Sequence, residues 1–91
     1  MIRRRYVFSG RVQHVGFRYT AYSLARDLYL TGWVENLPDG TVVMEVQGEV
    51  SRIRKLILKL RGSPHIRITN MEIRKMEVDP RSLRFEVRGY D

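Results

Sequence analysis

Gly32-Trp33-Val34-Glu35-Asn36-Leu37-Pro38-Asp39-Gly40-Thr41-Val42-Val43-Met44-Glu45-Val46-Gln47 is the stretch on which the fold turns. Two strand-like runs, 32–36 and 41–47, flank a Leu-Pro-Asp-Gly connection in which Pro presets its backbone angle and Gly tolerates the strained exit. They form a hairpin. On its N-terminal side, Phe17, Ala21, Leu24, Ala25 and Leu28 recur at the i, i+4, i+7 spacing of one helical face, predicting a helix from about Phe17 to Tyr29 that stops at Thr31-Gly32. On its C-terminal side, Glu49 to Arg61 repeats the helical pattern through Ile53, Leu56, Ile57 and Leu60. Arg52, Arg54, Lys55, Lys59 and Arg61 lie opposite, and Gly62-Ser63-Pro64 closes the helix.

Further out, Arg5 to Val12 puts Tyr6, Phe8 and Val12 on one parity and Arg5, Ser9 and Arg11 on the other, the period of a half-buried strand. The tail alternates through Ile66 and Ile68, Met71 and Ile73, then Met76 and Val78, with two slips of parity that predict a bulge or an edge strand. Asp79-Pro80-Arg81-Ser82 breaks that run, and Leu83, Phe85 and Val87 make a last strand. The order is β-α-β-β-α-β, its final β split or followed by a short extra strand. The expected fold is α+β: a ferredoxin-like two-layer sandwich with a mainly antiparallel sheet of four to five strands and both helices on one face. The other face is expected to stay wet, with Phe17 and Trp33 in the core.

The 91 residues carry 17 Lys+Arg against 10 Asp+Glu, so 17 − 10 = +7, and residues 1–91 are read as a single domain. A balance of 43% hydrophobic and 30% charged residues is globular rather than disordered. Without cysteine there is no disulfide frame, thiolate nucleophile or iron–sulfur cluster, which argues against secretion. The N-terminal stretch lacks the apolar run of a signal peptide and nothing later approaches a membrane span, so the location is read as cytoplasmic, with no membrane partner. The 14 arginines are spread along the chain, and the compact Arg3-Arg4-Arg5 run leads into a strand. A charged strand edge explains that run better than a polyanion does.

Common catalytic motifs are missing. There is no Gly-Lys phosphate loop, no His-x-x-x-His pair and no Gly-x-Ser-x-Gly elbow. His14 and His65 stand far apart, so no metal is expected. What remains is Gly10-Arg11-Val12-Gln13-His14-Val15-Gly16-Phe17-Arg18, where a strand passes through glycines into a helix. Such a junction aims unpaired backbone N–H groups at one point, where the helix dipole also favours an anion. Arg18, in the first helical turn, sits at the unfavourable end of that dipole unless something negative binds beside it, and its fork can hold two phosphate oxygens. Spacing alone leaves open an exposed Arg18 reaching to water or a nearby carboxylate. Asn36 ends a strand just before the turn, and local pattern favours turn initiation as its role. Gln13 reads as a residue that satisfies loop backbone, and Asp39 as part of the turn.

Together the two segments resemble the acylphosphatase family, whose pattern pairs a Gly-x-Val-Gln-Gly-Val-x-Phe-Arg loop with a Gly-Trp-Val-x-Asn-x-x-Asp-Gly-Thr-Val hairpin. Looser likeness continues through Gly62-Ser63-Pro64-His65-Ile66-Arg67-Ile68 and Leu83-Arg84-Phe85-Glu86-Val87-Arg88. The resemblance implies hydrolysis of a small-molecule acyl phosphate to a carboxylate and inorganic phosphate, without cofactor. It makes Arg18 the phosphate-binding catalytic arginine and Asn36 the residue that orients the attacking water. The loop of Gln13, His14, Val15, Gly16, Phe17 and Arg18 would cradle a phosphate or sulfate anion. His14 stands where the family usually has glycine; a positive φ there would strain histidine, yet His is among the residues that accept one.

Elementary chemistry agrees with that implication. An acyl phosphate is a mixed anhydride with a good leaving group, so positioning and charge stabilisation suffice without a strong nucleophile. The rival is an RNA-binding module of the same topology, which would stack bases on aromatics of the central strands. Thr41 to Gln47 has no aromatic residue, and Tyr6 and Phe8 share the parity assigned to the buried face. No nucleic-acid partner is therefore expected, and the protein is read as a monomer.

Overall fold

Alternation and helical periodicity translate into seven elements in a computed structural model that describes residues 1–89. They are β1 (Ile2–Arg11), α1 (Phe17–Asp27), β2 (Thr31–Asn36), β3 (Val42–Gly48), α2 (Val50–Arg61), β4 (Arg67–Met76) and β5 (Phe85–Arg88). The sheet order is β4-β1-β3-β2-β5. β3 pairs antiparallel with β1 and β2, β4 pairs antiparallel with β1, and β5 lies parallel to β2. The sheet is thus mixed, with two βαβ halves interleaved as the ferredoxin-like order requires. The split tail resolves into a long edge strand, β4, and a short strand on the opposite edge, β5.

Both helices cover one face. Tyr6, Phe8 and Val12 of the first strand segment, Val34 of β2, Val42, Met44 and Val46 of β3, and Phe85 of β5 meet Phe17, Ala21 and Ala25 of α1 and Ile53, Leu56, Ile57 and Leu60 of α2 in one buried cluster. Phe8 packs on Phe17 with ring centroids 4.9 Å apart, which pins the start of α1 over β1. A register shift between Ser9 and Gly10 leaves Thr69 as an extra residue on β4, the bulge that the first parity slip foretold.

Three expectations change. Helix α1 ends at Asp27, two residues before the predicted Tyr29, because Tyr29 takes φ 57 and the last carbonyls are capped by Leu30 N–H to Ala25 O (2.9 Å) and Tyr29 N–H to Arg26 O (3.1 Å). That is a Schellman stop built on tyrosine. Gly32, read as the stop, instead lies in β2, where a Cβ would stand 1.9 Å from the Glu45 carbonyl oxygen. Trp33 is not in the core: in β2 the inward residue is Val34, so Trp33 faces the side away from the helices, beneath the Arg88 guanidinium at 4.3 Å.

That outer face is also drier than expected. Arg3 and Glu45, each 8% exposed, and Gln47, 4% exposed, lie under the 77–84 crossover that carries the chain from one sheet edge to the other. Arg3 donates to Glu45, Gln47 and Ser82, Arg5 donates to Glu45, and the Gln47 side chain both accepts from Asp79 N–H and donates to Asp79 O. Buried charge persists here because each group is paired and hydrogen-bonded. The arginine run is therefore not the charged strand edge that was expected: β1 lies between β4 and β3, and Arg3 is consumed in this network.

Candidate active site

Position 16 decides where the site lies. Gly16 has φ 81, turning the chain from the loop into α1, and the helix has neither a side-chain cap nor an acidic residue in its first turn. The first intrahelical bond is Thr20 N–H to Gly16 O at 3.0 Å, so the preceding amides of that turn have no partner from the helix. A Cβ on Gly16 would meet nothing within 4 Å, which marks the open side of the turn. His14, exposed, adopts φ 62, the left-handed conformation a glycine takes without strain, at a cost of order 1 kcal/mol for another residue.

Arg18 and Asn36 line one cleft of about 240 Å³, together with Val12, His14, Gly16, Phe17 and Tyr19. The fold brings them together by two independent devices. Arg18 follows the core anchor Phe17, whose burial turns the next residue outward at the helix start. Asn36 shares strand parity with Val34, so it lies on the helix-covered face of β2, at the end nearest the loop. The Arg18 Nη1 donates to the Arg88 carbonyl at 2.7 Å, so the last residue of β5 holds the guanidinium in place. Asn36 Oδ1 is buried and no described protein group donates to it. A buried acceptor without a donor is costly, and one facing a cleft is served by whatever enters there.

Gln13 acts across the loop. Its Nε2 donates to the Leu37 carbonyl at 2.7 Å and the Thr41 carbonyl at 2.9 Å, bolting the loop to both sides of the hairpin turn. The turn is closed by Leu37 N–H to Thr41 O at 2.9 Å, and Asp39 accepts from the Thr41 hydroxyl at 2.6 Å and amide at 3.0 Å. Those bonds, the hydroxyl first, hold the Asp39 carboxyl below its usual 3.8. Asn36 is therefore held at a braced strand end, and turn initiation falls to Asp39. The sequence singles out Arg18, Asn36 and the loop, which the fold brings to one cleft, but gives no sign of the Arg88 carbonyl, which no side-chain pattern can announce. It also understated Gln13, whose amide reaches a turn 24 residues away.

Among the described residues no group of three His, Asp or Glu converges as a metal site. No helix of the described chain is long and apolar enough to cross a membrane. Tyr6 and Phe8 are buried, so the central strands offer no aromatic platform for bases on the helix-covered face.

A ferredoxin-like α+β sandwich with an arginine and an amide lining one cleft at an uncapped helix start defines a class of small α+β proteins built around an anion-sized cleft. Residues 4–87 match the family model described as Acylphosphatase. A relative named Acylphosphatase from Clostridium perfringens (strain 13 / Type A) is 46% identical over 86 residues, covering 93% of this chain and 97% of its own. One from Chlorobaculum tepidum is 39% identical over 82 residues, 89% of each. The crystal structure of acylphosphatase from Bacillus subtilis superposes with a TM-score of 0.90 at 29% identity, covering 98% of this chain and all of that one. The chain belongs to the acylphosphatase family and is a hydrolase of acyl phosphates.

Proposed function

We propose that the 91-residue chain acts as a single-domain, monomeric, cofactor-independent acylphosphatase whose catalytic residues are Arg18 and Asn36. The phosphoryl group sits in the cleft at the start of α1. The Arg18 fork and the backbone N–H groups from Gln13 to Arg18 donate to its oxygens, and the Asn36 side-chain oxygen accepts from one water and holds it in line with the scissile bond. Water oxygen bonds to phosphorus while the bond from phosphorus to the carboxyl oxygen breaks. The carboxylate leaves with the electron pair, and the proton of the attacking water passes to a phosphoryl oxygen of the substrate. Charge stabilisation by prearranged donors carries the rate. A cysteine-free chain suits a reducing compartment, and we assign the protein to the cytoplasm.

The observation that carries this reading is the buried Asn36 acceptor, unserved by any described group, lining the same cleft as Arg18. Release of inorganic phosphate from acetyl phosphate with a chelator present tests it. The wild type is expected to turn over, and Arg18→Ala and Asn36→Ala are expected to fail. Equal rates for all three proteins would end the assignment.

The brace adds a further expectation. Gln13→Ala removes both donations to the hairpin and lets Asn36 drift, so kcat is expected to fall about tenfold or more with KM within about twofold, because small misplacements of a reacting group are expensive. A change in thermal midpoint alone, with kcat untouched, would make Gln13 a packing residue.

A further inference from the structure

A second cleft, larger than the Arg18 cleft at about 1010 Å³, is lined by Arg11, His14, Arg61, His65 and Arg67 with several apolar residues and no carboxylate. It shares His14 with the Arg18 cleft, so the two adjoin. Its charge is concentrated by the fold. Past the bulge at Thr69, Arg11 of β1 and Arg67 of β4 stand directly opposite in the ladder, and Arg61 ends α2 beside them. Like charges directly opposite in a sheet destabilise it. Arg3 and Arg5 are neutralised by Glu45, whereas Arg11, Arg61 and Arg67 have no carboxylate within ion-pair distance among the described residues; other arginines share that lack, but these three converge on one cleft. Three unneutralised guanidinium groups around one concavity form a focused positive field that an anion relieves.

We infer that this cleft is a subsite for a second anionic group, a carboxylate or a phosphate ester, carried on the acyl part of the substrate a few bonds from the phosphoryl group. This rests on the acyl phosphate reading of the Arg18 cleft. Arg61 and Arg67 select charged acyl phosphates over neutral ones of equal length by forming forked pairs with the distal anion. The adjoining position favours a small substrate spanning both clefts over an extended nucleic-acid chain.

The experiment compares kcat/KM for butyryl phosphate, for its analogue ending in a carboxylate and for its analogue ending in a phosphate ester, at low and high salt. The proteins are the wild type and the double variant Arg61→Gln/Arg67→Gln, with circular dichroism confirming that the variant folds. The wild type is expected to prefer one or both charged analogues by about tenfold at low salt, a preference that salt erodes. Which analogue wins tells carboxylate from phosphate. In the double variant the preference is expected to shrink to about twofold or less. Turnover of butyryl phosphate with no preference, or a preference that survives both substitutions, overturns the subsite while leaving the acylphosphatase reading intact. Absence of turnover on all three substrates overturns both. A single-stranded oligonucleotide that inhibits the wild type but not the double variant, with no preference among the three phosphates, would give the cleft to nucleic acid and overturn the proposal. Single variants Arg61→Gln and Arg67→Gln, each expected to lose part of the preference, serve if the double variant does not fold.

Discussion

Arg18→Ala is expected to remove measurable turnover of acetyl phosphate and binding of inorganic phosphate together. The reason lies in what else the cleft provides. Among the described residues no other arginine and no lysine lines it, so deleting Arg18 leaves the phosphoryl charge to backbone amides and the His14 ring. Loss of a single preorganised donor to a developing charge costs about 10²–10³ in kcat, and a two-donor guanidinium exceeds that. Arg18→Lys is expected to restore little. An ammonium can hold the Arg88 carbonyl or a phosphoryl oxygen, but it lacks the planar fork that serves both. Phosphate binding by calorimetry and single-turnover phosphate release measure the two losses separately. Recovery of more than about a tenth of wild-type kcat in the lysine variant would show that charge, not geometry, is what position 18 supplies.

Asn36→Ala is expected to lower kcat about 10²-fold or more while KM moves by less than about threefold, since the water we assign to it matters only as the transition state forms. Its stability effect has the opposite sign from most truncations of a half-buried polar residue. Removing an amide whose oxygen has no described donor relieves a desolvation cost, so the thermal midpoint is expected to stay level or rise. Activity lost with stability kept is the signature of a group held in place for chemistry. Asn36→Asp probes the same oxygen with a negative charge added beside the phosphoryl site, and it is expected to raise KM as well as lower kcat. Parallel rises in KM and falls in kcat for the alanine variant would move Asn36 from the water to the substrate.

Periodicity carried the architecture. The Pro38-Asp39-Gly40 turn, the apolar stripes of both helices and the parity of Tyr6 with Phe8 were legible because each is a local pattern with a single burial solution. Parity in β2 carries the same information. Val34 and Trp33 cannot share a face, and the smaller residue took the core because α1 packs closely over β2 with Ala21 and Ala25. The end of α1 misled because Tyr29 supplies a left-handed cap that glycine usually provides, while Gly32 was needed where the Glu45 backbone comes too close for any Cβ.

By itself the sequence, through the motifs it shares with the acylphosphatase family, singled out the two residues to which we assign the chemistry and the elements on which they sit: a guanidinium in the first turn after a glycine-bearing loop, and an amide at the last position of a strand. Only the tertiary structure decided that they face one cleft, that the Gln13 amide and the Arg88 carbonyl hold them there, and that Arg11, Arg61 and Arg67 gather beside it. Period and propensity are properties of neighbours along the chain. Hydrogen bonds spanning 24 and 70 residues, and cations drawn from two strands and a helix end, exist only once the sheet has set its register.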